Sequence, residues 1–207
     1  MATTKNNKKN VSLGKPMVAG VAYRAPAGTA LPTDATTQLA AAYECVGFLG
    51  EDGITNATDT DNTTVNDMGG VQVINEISSY AETYQFIMIE TRTESLKARY
   101  GDDNVTATGD EGAQTITVLH AMPDGESCVW VFEILMTGNR VKRIILPDAT
   151  LSEVGDITYS STEVIGYDVT YNANPSDQID GATSKEIIAP LSKAATKALK
   201  AALASAA

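Results

Sequence analysis

Histidine is almost missing from this 207-residue chain, and that removes much catalytic chemistry at once. The one imidazole, His120, has no second histidine beside which a metal cluster could form. A hydrolase relay would need it next to an activated Ser or Cys and an orienting acid, and no G-x-S-x-G elbow is present. Cysteine is scarce too: Cys45 and Cys128 both lie in apolar, strand-like runs where a thiol behaves as a small hydrophobe. A basic N-terminus without a following apolar stretch predicts synthesis and folding in a cytoplasm, with both thiols reduced. No apolar run approaches the roughly 20 residues that cross a bilayer. Aromatics make up only 6% of residues, while Thr, Ala and Val abound, a mixture that favours strands with small or β-branched side chains.

Positive charge is scarce in the middle of the chain. Residues 16–184 hold seven basic residues against 25 acids, a net of −18. Residues 1–15 hold four lysines and no acid, and residues 185–207 hold four lysines and one acid. An acidic body repels polyanions, while basic ends seek acidic surfaces. One economical reading is self-assembly, with the acidic surface supplied by the next copy.

The hydrophobic pattern divides the chain further. Residues 1–15 lack periodicity and read as a flexible arm; residues 16–42 are Ala/Gly/Pro/Thr-rich and read as extended chain with a short helical turn at 35–42. Strands are predicted at 43–49, stopped by Gly50-Glu51-Asp52-Gly53, and at 71–77 and 80–90. The polar residues 55–70 between them form a long loop or an edge hairpin. Thr91-Arg92-Thr93-Glu94 has capping-box spacing for a helix over 92–100 that Gly101 stops. Three strands at 114–120, 127–136 and 140–146 read as a meander, turned by Pro123-Asp124-Gly125 and Gly138-Asn139. The middle one is apolar on both faces, so it is a central strand or one that other copies cover. Two more strands follow in 148–160 and 162–172, then a polar linker over 174–184. From 185 the chain is Ala-rich, with Ile187, Leu191, Ala195, Leu199 and Leu203 near helical spacing. The expected domain plan is an arm over 1–42, a β domain over 43–172, and a linker with a C-terminal arm over 173–207.

No motif carries chemistry. Asp59-Thr60-Asp61 begins like a calcium loop, but Thr64 stands at the sixth position and Gly70 at the twelfth, where Gly and Glu are needed. Asp102-Asp103 reads as a turn. The Gly-rich pieces at 101 and 109–112 set carboxylates where a phosphate would sit and lack the P-loop lysine. Arg140, Lys142 and Arg143 form the body's one basic cluster and read as a solvated strand edge. No catalytic, cofactor or metal residue is predicted, and no enzyme activity.

Several segments, in order, carry a resemblance: KPMVAGVAYRAPAGTALPTD at 15–34, GFLGEDGIT at 47–55, ARYGDDNV at 98–105, VWVF at 129–132, RIILP at 143–147, VGDI at 154–157 and GYDVT at 166–170. Together they make residues 15–175 similar to the major tail (tail tube) proteins of long, non-contractile tailed bacteriophages. The resemblance implies a β-sandwich with one flanking helix. It implies hexameric rings whose strands line a wide barrel, stacked into a virion tail tube that conducts DNA without binding it specifically. Arms, a long loop and C-terminal segments, here about 1–42, 55–70 and 173–207, would join rings and neighbours. Tape measure and tail terminator proteins are the implied partners, no membrane is involved, and assembly is expected in the host bacterial cytoplasm. A capsid decoration or adhesion β-sandwich is the alternative.

Overall fold

A computed structural model describes residues 5–17, 20–110 and 113–191 of the chain. In chain order the elements are β1 (Gly14–Pro16), β2 (Ala22–Pro26), β3 (Glu44–Cys45), β4 (Leu49–Asn66), β5 (Gln72–Met88), α1 (Thr93–Tyr100), β6 (Val105–Thr108), β7 (Thr115–Val118), β8 (Cys128–Met136), β9 (Arg140–Val154), β10 (Tyr167–Ala173) and β11 (Lys185–Pro190). Nine strands make one antiparallel sheet in the order β3-β2-β8-β9-β10-β5-β4, with β1 also on β8 and β11 also on β9. β6 and β7 pair separately, and with α1 they cover one face of the large sheet, which makes the mainly β sandwich expected of the sequence.

Side-chain alternation along β8 explains how the sheet is covered. Trp130 and Phe132 point to one face, Val129 and Val131 to the other, and all four are fully buried. The first face is an aromatic core: Phe86 meets Trp130 edge-on at 4.9 Å and Phe132 at 5.3 Å, and Trp130 also meets Tyr171 at 5.1 Å. Leu96 and Ala98 of α1 and Val105 of β6 close over it. On the second face Val129, Val131 and Ile145 pack under Leu31, Leu39 and Tyr43. The doubly apolar strand is thus covered on both sides within one subunit.

This second cover is held by a buried ion pair. Arg143 donates from Nε to Glu133 at 3.0 Å and from Nη2 to the same carboxylate, while Nη1 reaches the Asp34 carbonyl at 2.6 Å and Nη2 the Thr37 carbonyl at 2.8 Å. Asp34 folds that stretch by accepting from the backbone N–H of Thr36 and Thr37, both at 2.6 Å. Its hydrogen bonds, led by that from the Thr37 hydroxyl, hold its carboxyl well below the usual range. The helical turn expected over 35–42 is therefore an Asx-type turn clamped to the sheet. Ala22–Pro26, in the segment read as an arm, is an integral strand.

Other local expectations change for identifiable reasons. Gly50-Glu51-Asp52-Gly53 does not end a strand; β4 runs through it with an irregularity in register between Leu49 and Ile54. The runs at 71–77 and 80–90 join as β5, with Ser78 unpaired as a bulge between Ile77 and Ser79. The meander is half formed. Gly138 (φ 84°) and Asn139 (φ 57°) make the tight β8–β9 turn, but β7 pairs with β6 rather than β8. β9 unites two expected strands, carrying Pro147 at its middle. The helix begins one residue later than the capping spacing implied: the Ser95 hydroxyl accepts from the Arg92 N–H at 3.1 Å, and Glu94 turns to Lys97 at 3.3 Å. Gly101 (φ 89°) stops it as expected. Residues 185–190 form β11 on Arg140–Ile145 of β9 instead of starting a helix. A thin apolar stripe makes a marginal helix, and a ready strand ladder outcompetes it. Leu191 then donates its N–H to the Asn139 carbonyl at 2.8 Å, and residues 192–207 of that expected helix lie outside the described residues.

Candidate channel and stacking surfaces

The N-terminal segment covers the second sheet face only over β2, β8 and the first half of β9. Beyond it, β10, β5, β4 and the second half of β9 present a bare face. Strand register places Thr150 and Glu153, then Asp168, Thr170 and Asn172, then Thr83, Gln85 and Ile87, then Thr55, Ala57 and Asp59 across it. The residues alternating with these on β10 and β5 (Tyr167, Val169, Tyr171, Tyr84, Phe86) are the buried aromatic core, which is why this face must point outward. It carries three acids, many hydroxyl and amide groups, and no Lys or Arg. Asp168 is steadied by Gln85, whose amide donates to it at 3.2 Å.

The scarce cations of the body are all engaged by their own subunit. Arg24 pairs with Asp102 at 2.6 Å, Arg92 with Glu90 at 3.8 Å, Lys97 with Glu94, and Lys142 with Glu186 at 2.7 Å. Arg143 is buried against Glu133, and Arg99 is buried with its guanidinium on the carbonyls of Asp168 and Gly155. Arg140 donates to the Ser12 hydroxyl. The cluster of Arg140, Lys142 and Arg143 is thus no solvated edge: β9 is an interior strand, paired with β8 on one side and with β10 and β11 on the other. A polyanion approaching this body meets carboxylates, while five of the seven body cations are ion-paired, Arg99 is buried and Arg140 is held by the N-terminal segment.

β4 and β5 then continue past the sheet as a two-stranded ribbon. Antiparallel pairing from Thr55 with Gln85 to Asn66 with Gln72 makes this segment a long hairpin, and every residue from 55 to 81 is exposed. Asp67 organises its tip by accepting from the N–H groups of Gly69 and Val71, both at 2.8 Å. Ribbon acids are Asp59, Asp61, Asp67 and Glu76, with no base over 57–81. Large apolar side chains also stand in solvent: Met68 fully, with Val73, Ile77 and Tyr80 along one strand. The Ser78 bulge puts Ile77 on the same ribbon face as Tyr80, two successive contacts that an unbroken strand would send to opposite faces. Isolated two-stranded ribbons are marginal in water, and an exposed apolar one marks a contact surface.

The ribbon base is fastened to the C-terminal segment at Glu82. This buried carboxylate receives hydrogen bonds from Asn56 at 2.8 Å, Tyr84 at 2.9 Å, Ser184 at 3.2 Å and the Thr183 hydroxyl. Burial alone would raise its pKa; the hydrogen bonds, led by Thr183, outweigh burial and hold it below the usual carboxylate range.

The residues weighed for chemistry sit apart. His120 stacks on Tyr100 at 4.8 Å, Cys45 and Cys128 are free thiols, and Asp59 and Asp61 lie out on the ribbon. Among the described residues no group of three His, Cys, Asp or Glu is placed to hold a metal, and no helix is long and apolar enough to cross a membrane. A polar, cation-poor sheet face beside a projecting ribbon suits assembly rather than catalysis. The family model for the phage tail tube protein matches residues 7–195. The chain belongs to this family. A tail tube subunit is a non-enzymatic structural part of the virion tail and assembles into a tube with other tail proteins. The match spans all eleven strands and ends inside the Lys/Ala-rich stretch, so residues 196–207 lie beyond it. A search of curated proteins finds no match.

The sequence missed two of these features. The charge count gave the acidic excess but not the ion-pairing of five body cations, which depends on pairs up to 78 residues apart, as in Arg24 with Asp102. Glu82 gave no signal beyond being an acid in an apolar, alternating strand.

Proposed function

We propose that this tail tube subunit closes into hexameric rings with the bare face of β9, β10, β5 and β4 lining the channel, and that the stacked rings conduct DNA during ejection. The observation that supports it is the pairing of a cation-free polar face with a body whose cations are all internally engaged. DNA carries one negative charge per roughly 1.7 Å of axis, and phosphate binding is built from Lys and Arg contacts. A wall with acids, hydroxyls and amides gives a passing duplex nothing to grip, and its carboxylates act only within a Debye length of about 8–10 Å. The ribbon, leaving the sheet at one end, joins each ring to the next. Assembly takes place in the host cytoplasm, on a tape measure protein and up to a terminator.

Two measurements test this. Class averages of purified tubes should show six subunits per ring; another number refutes the hexamer. Asn172→Lys with Glu153→Lys brings the formal charge of the bare face from −3 to zero. Tubes of this variant should retain double-stranded DNA in a salt-sensitive manner, whereas wild-type tubes should not. Equal retention by both places the face elsewhere than the channel.

A further inference from the structure

We infer that the apolar groove at the root of the ribbon is the receptor for the ribbon tip of a second copy, an assignment that rests on the stacked-tube reading. The groove encloses 440 Å³ and is walled by Pro16, Val21, Leu49, Ile54 and Ile134, with Phe48 standing 72% exposed at its rim. The matching surface lies at the far end of the same two strands, where Met68 is fully exposed. Ile54 and Val65 both lie on β4, so the tip stands about 37 Å from the groove at ~3.4 Å per residue. A paired ribbon cannot fold back across that distance onto its own root. The tip that fills this groove belongs to another molecule, displaced by about the ribbon's length.

Charge selects the same partner. The ribbon brings four acids and no base, while the wall of the groove at Gly14, Lys15 and Pro16 is the end of the arm that holds four lysines within residues 5–15 and no acid. Glu51 and Asp52 occupy the other lip, so the acidic ribbon approaches from the arm side. The sorted charge of the sequence thereby acquires an address: Lys15 stands at the apolar hole where the basic N-terminal segment ends, and the acidic ribbon carries the apolar knob. Knob and hole are different surfaces, so the contact is heterologous, and because each copy is displaced by about the ribbon's length it runs on from copy to copy along the tube.

Cysteine pairing tests the assignment in assembled tubes. In a Cys45→Ser background, which leaves only the buried Cys128 thiol, Phe48→Cys and Met68→Cys are introduced together or singly. Both positions are exposed, and unchanged circular dichroism verifies the fold. Oxidised tubes of the double variant should give a ladder of dimers, trimers and longer chains. Co-assembled single variants should give dimers only, and each single variant alone should stay monomeric. Tubes that give no cross-link, or dimers from Met68→Cys alone, overturn the groove assignment and leave stacking intact. Failure of the wild-type protein to form tubes removes the stacked reading, and this inference with it. As a second readout, Phe48→Glu should lower the assembled fraction at least tenfold at an unchanged urea midpoint; assembly at wild-type level overturns the assignment.

Discussion

Arg143→Met should be among the most damaging single substitutions outside the aromatic core. The Arg143 side chain is 3% exposed and that of Glu133 8%, so truncating the guanidinium strands a carboxylate in the interior. An uncompensated buried charge costs about 3–5 kcal/mol. The carbonyls of Asp34 and Thr37 lose charged donors as well; they lie near solvent, so about 1 kcal/mol together is a fair allowance. The expected loss is about 5 kcal/mol, against a total stability of about 5–15 kcal/mol for a typical domain. Removing both charges should hurt less, because an apolar pair avoids the desolvation that the ion pair suffers: Glu133→Leu with Arg143→Met should recover about 2–4 kcal/mol. Urea unfolding of dissociated subunits, followed by circular dichroism, measures each term of the cycle. Limited proteolysis adds a local readout, since cleavage within 27–43 should rise sharply in Arg143→Met. If Arg143→Met stays within about 1 kcal/mol of wild type, or if the double variant is as unstable as the sum of the singles, the clamp does not hold the segment to the sheet.

Glu82→Gln should weaken attachment of the C-terminal segment by about 1–3 kcal/mol, since Tyr84, Thr183 and Ser184 lose a charged acceptor. The folded-state pKa of Glu82 is depressed, so its contribution is present above the ordinary carboxylate pKa and lost as pH falls through the folded value. Wild type and Glu82→Gln should therefore converge in urea midpoint under strongly acidic conditions and diverge toward neutrality; a constant gap contradicts the hub. Trp130→Ala should cost about 3–5 kcal/mol, given full burial and three ring partners, as read from the same urea curves. In the native subunit a thiol reagent should label Cys45 quickly and Cys128 only after unfolding, since Cys128 is 1% exposed and burial raises its pKa; two equally fast thiols would contradict the packing of β8. Replacing residues 60–80 with a short turn should leave monomer stability within about 1 kcal/mol, because every residue removed is exposed, yet abolish tubes in electron micrographs.

What the chain determines by itself is local and compositional. The β8–β9 turn follows from Gly138-Asn139, because few residues other than Gly and Asn accept positive φ, and the stop of α1 follows from Gly101 for the same reason. The apolar run of β8 marks a central strand wherever it pairs. The excess of acid in the body and of lysine at the ends is fixed by composition, and so is the lack of a catalytic constellation. Only the tertiary structure decided who pairs with whom. β7 turns to β6, residues 185–190 join β9, and 27–43 lies clamped on the second face, because each choice depends on surfaces made by distant strands. The same holds for charge: the seven cations of residues 16–184 look available to a polyanion in the sequence, and folding pairs, buries or hydrogen-bonds each of them through contacts as remote as Arg143 with Thr37. Sequence sets how much charge and apolar surface exist, since both are sums over residues. Which of it faces outward on the bare sheet face and along the ribbon is a property of register and packing, which no local window contains.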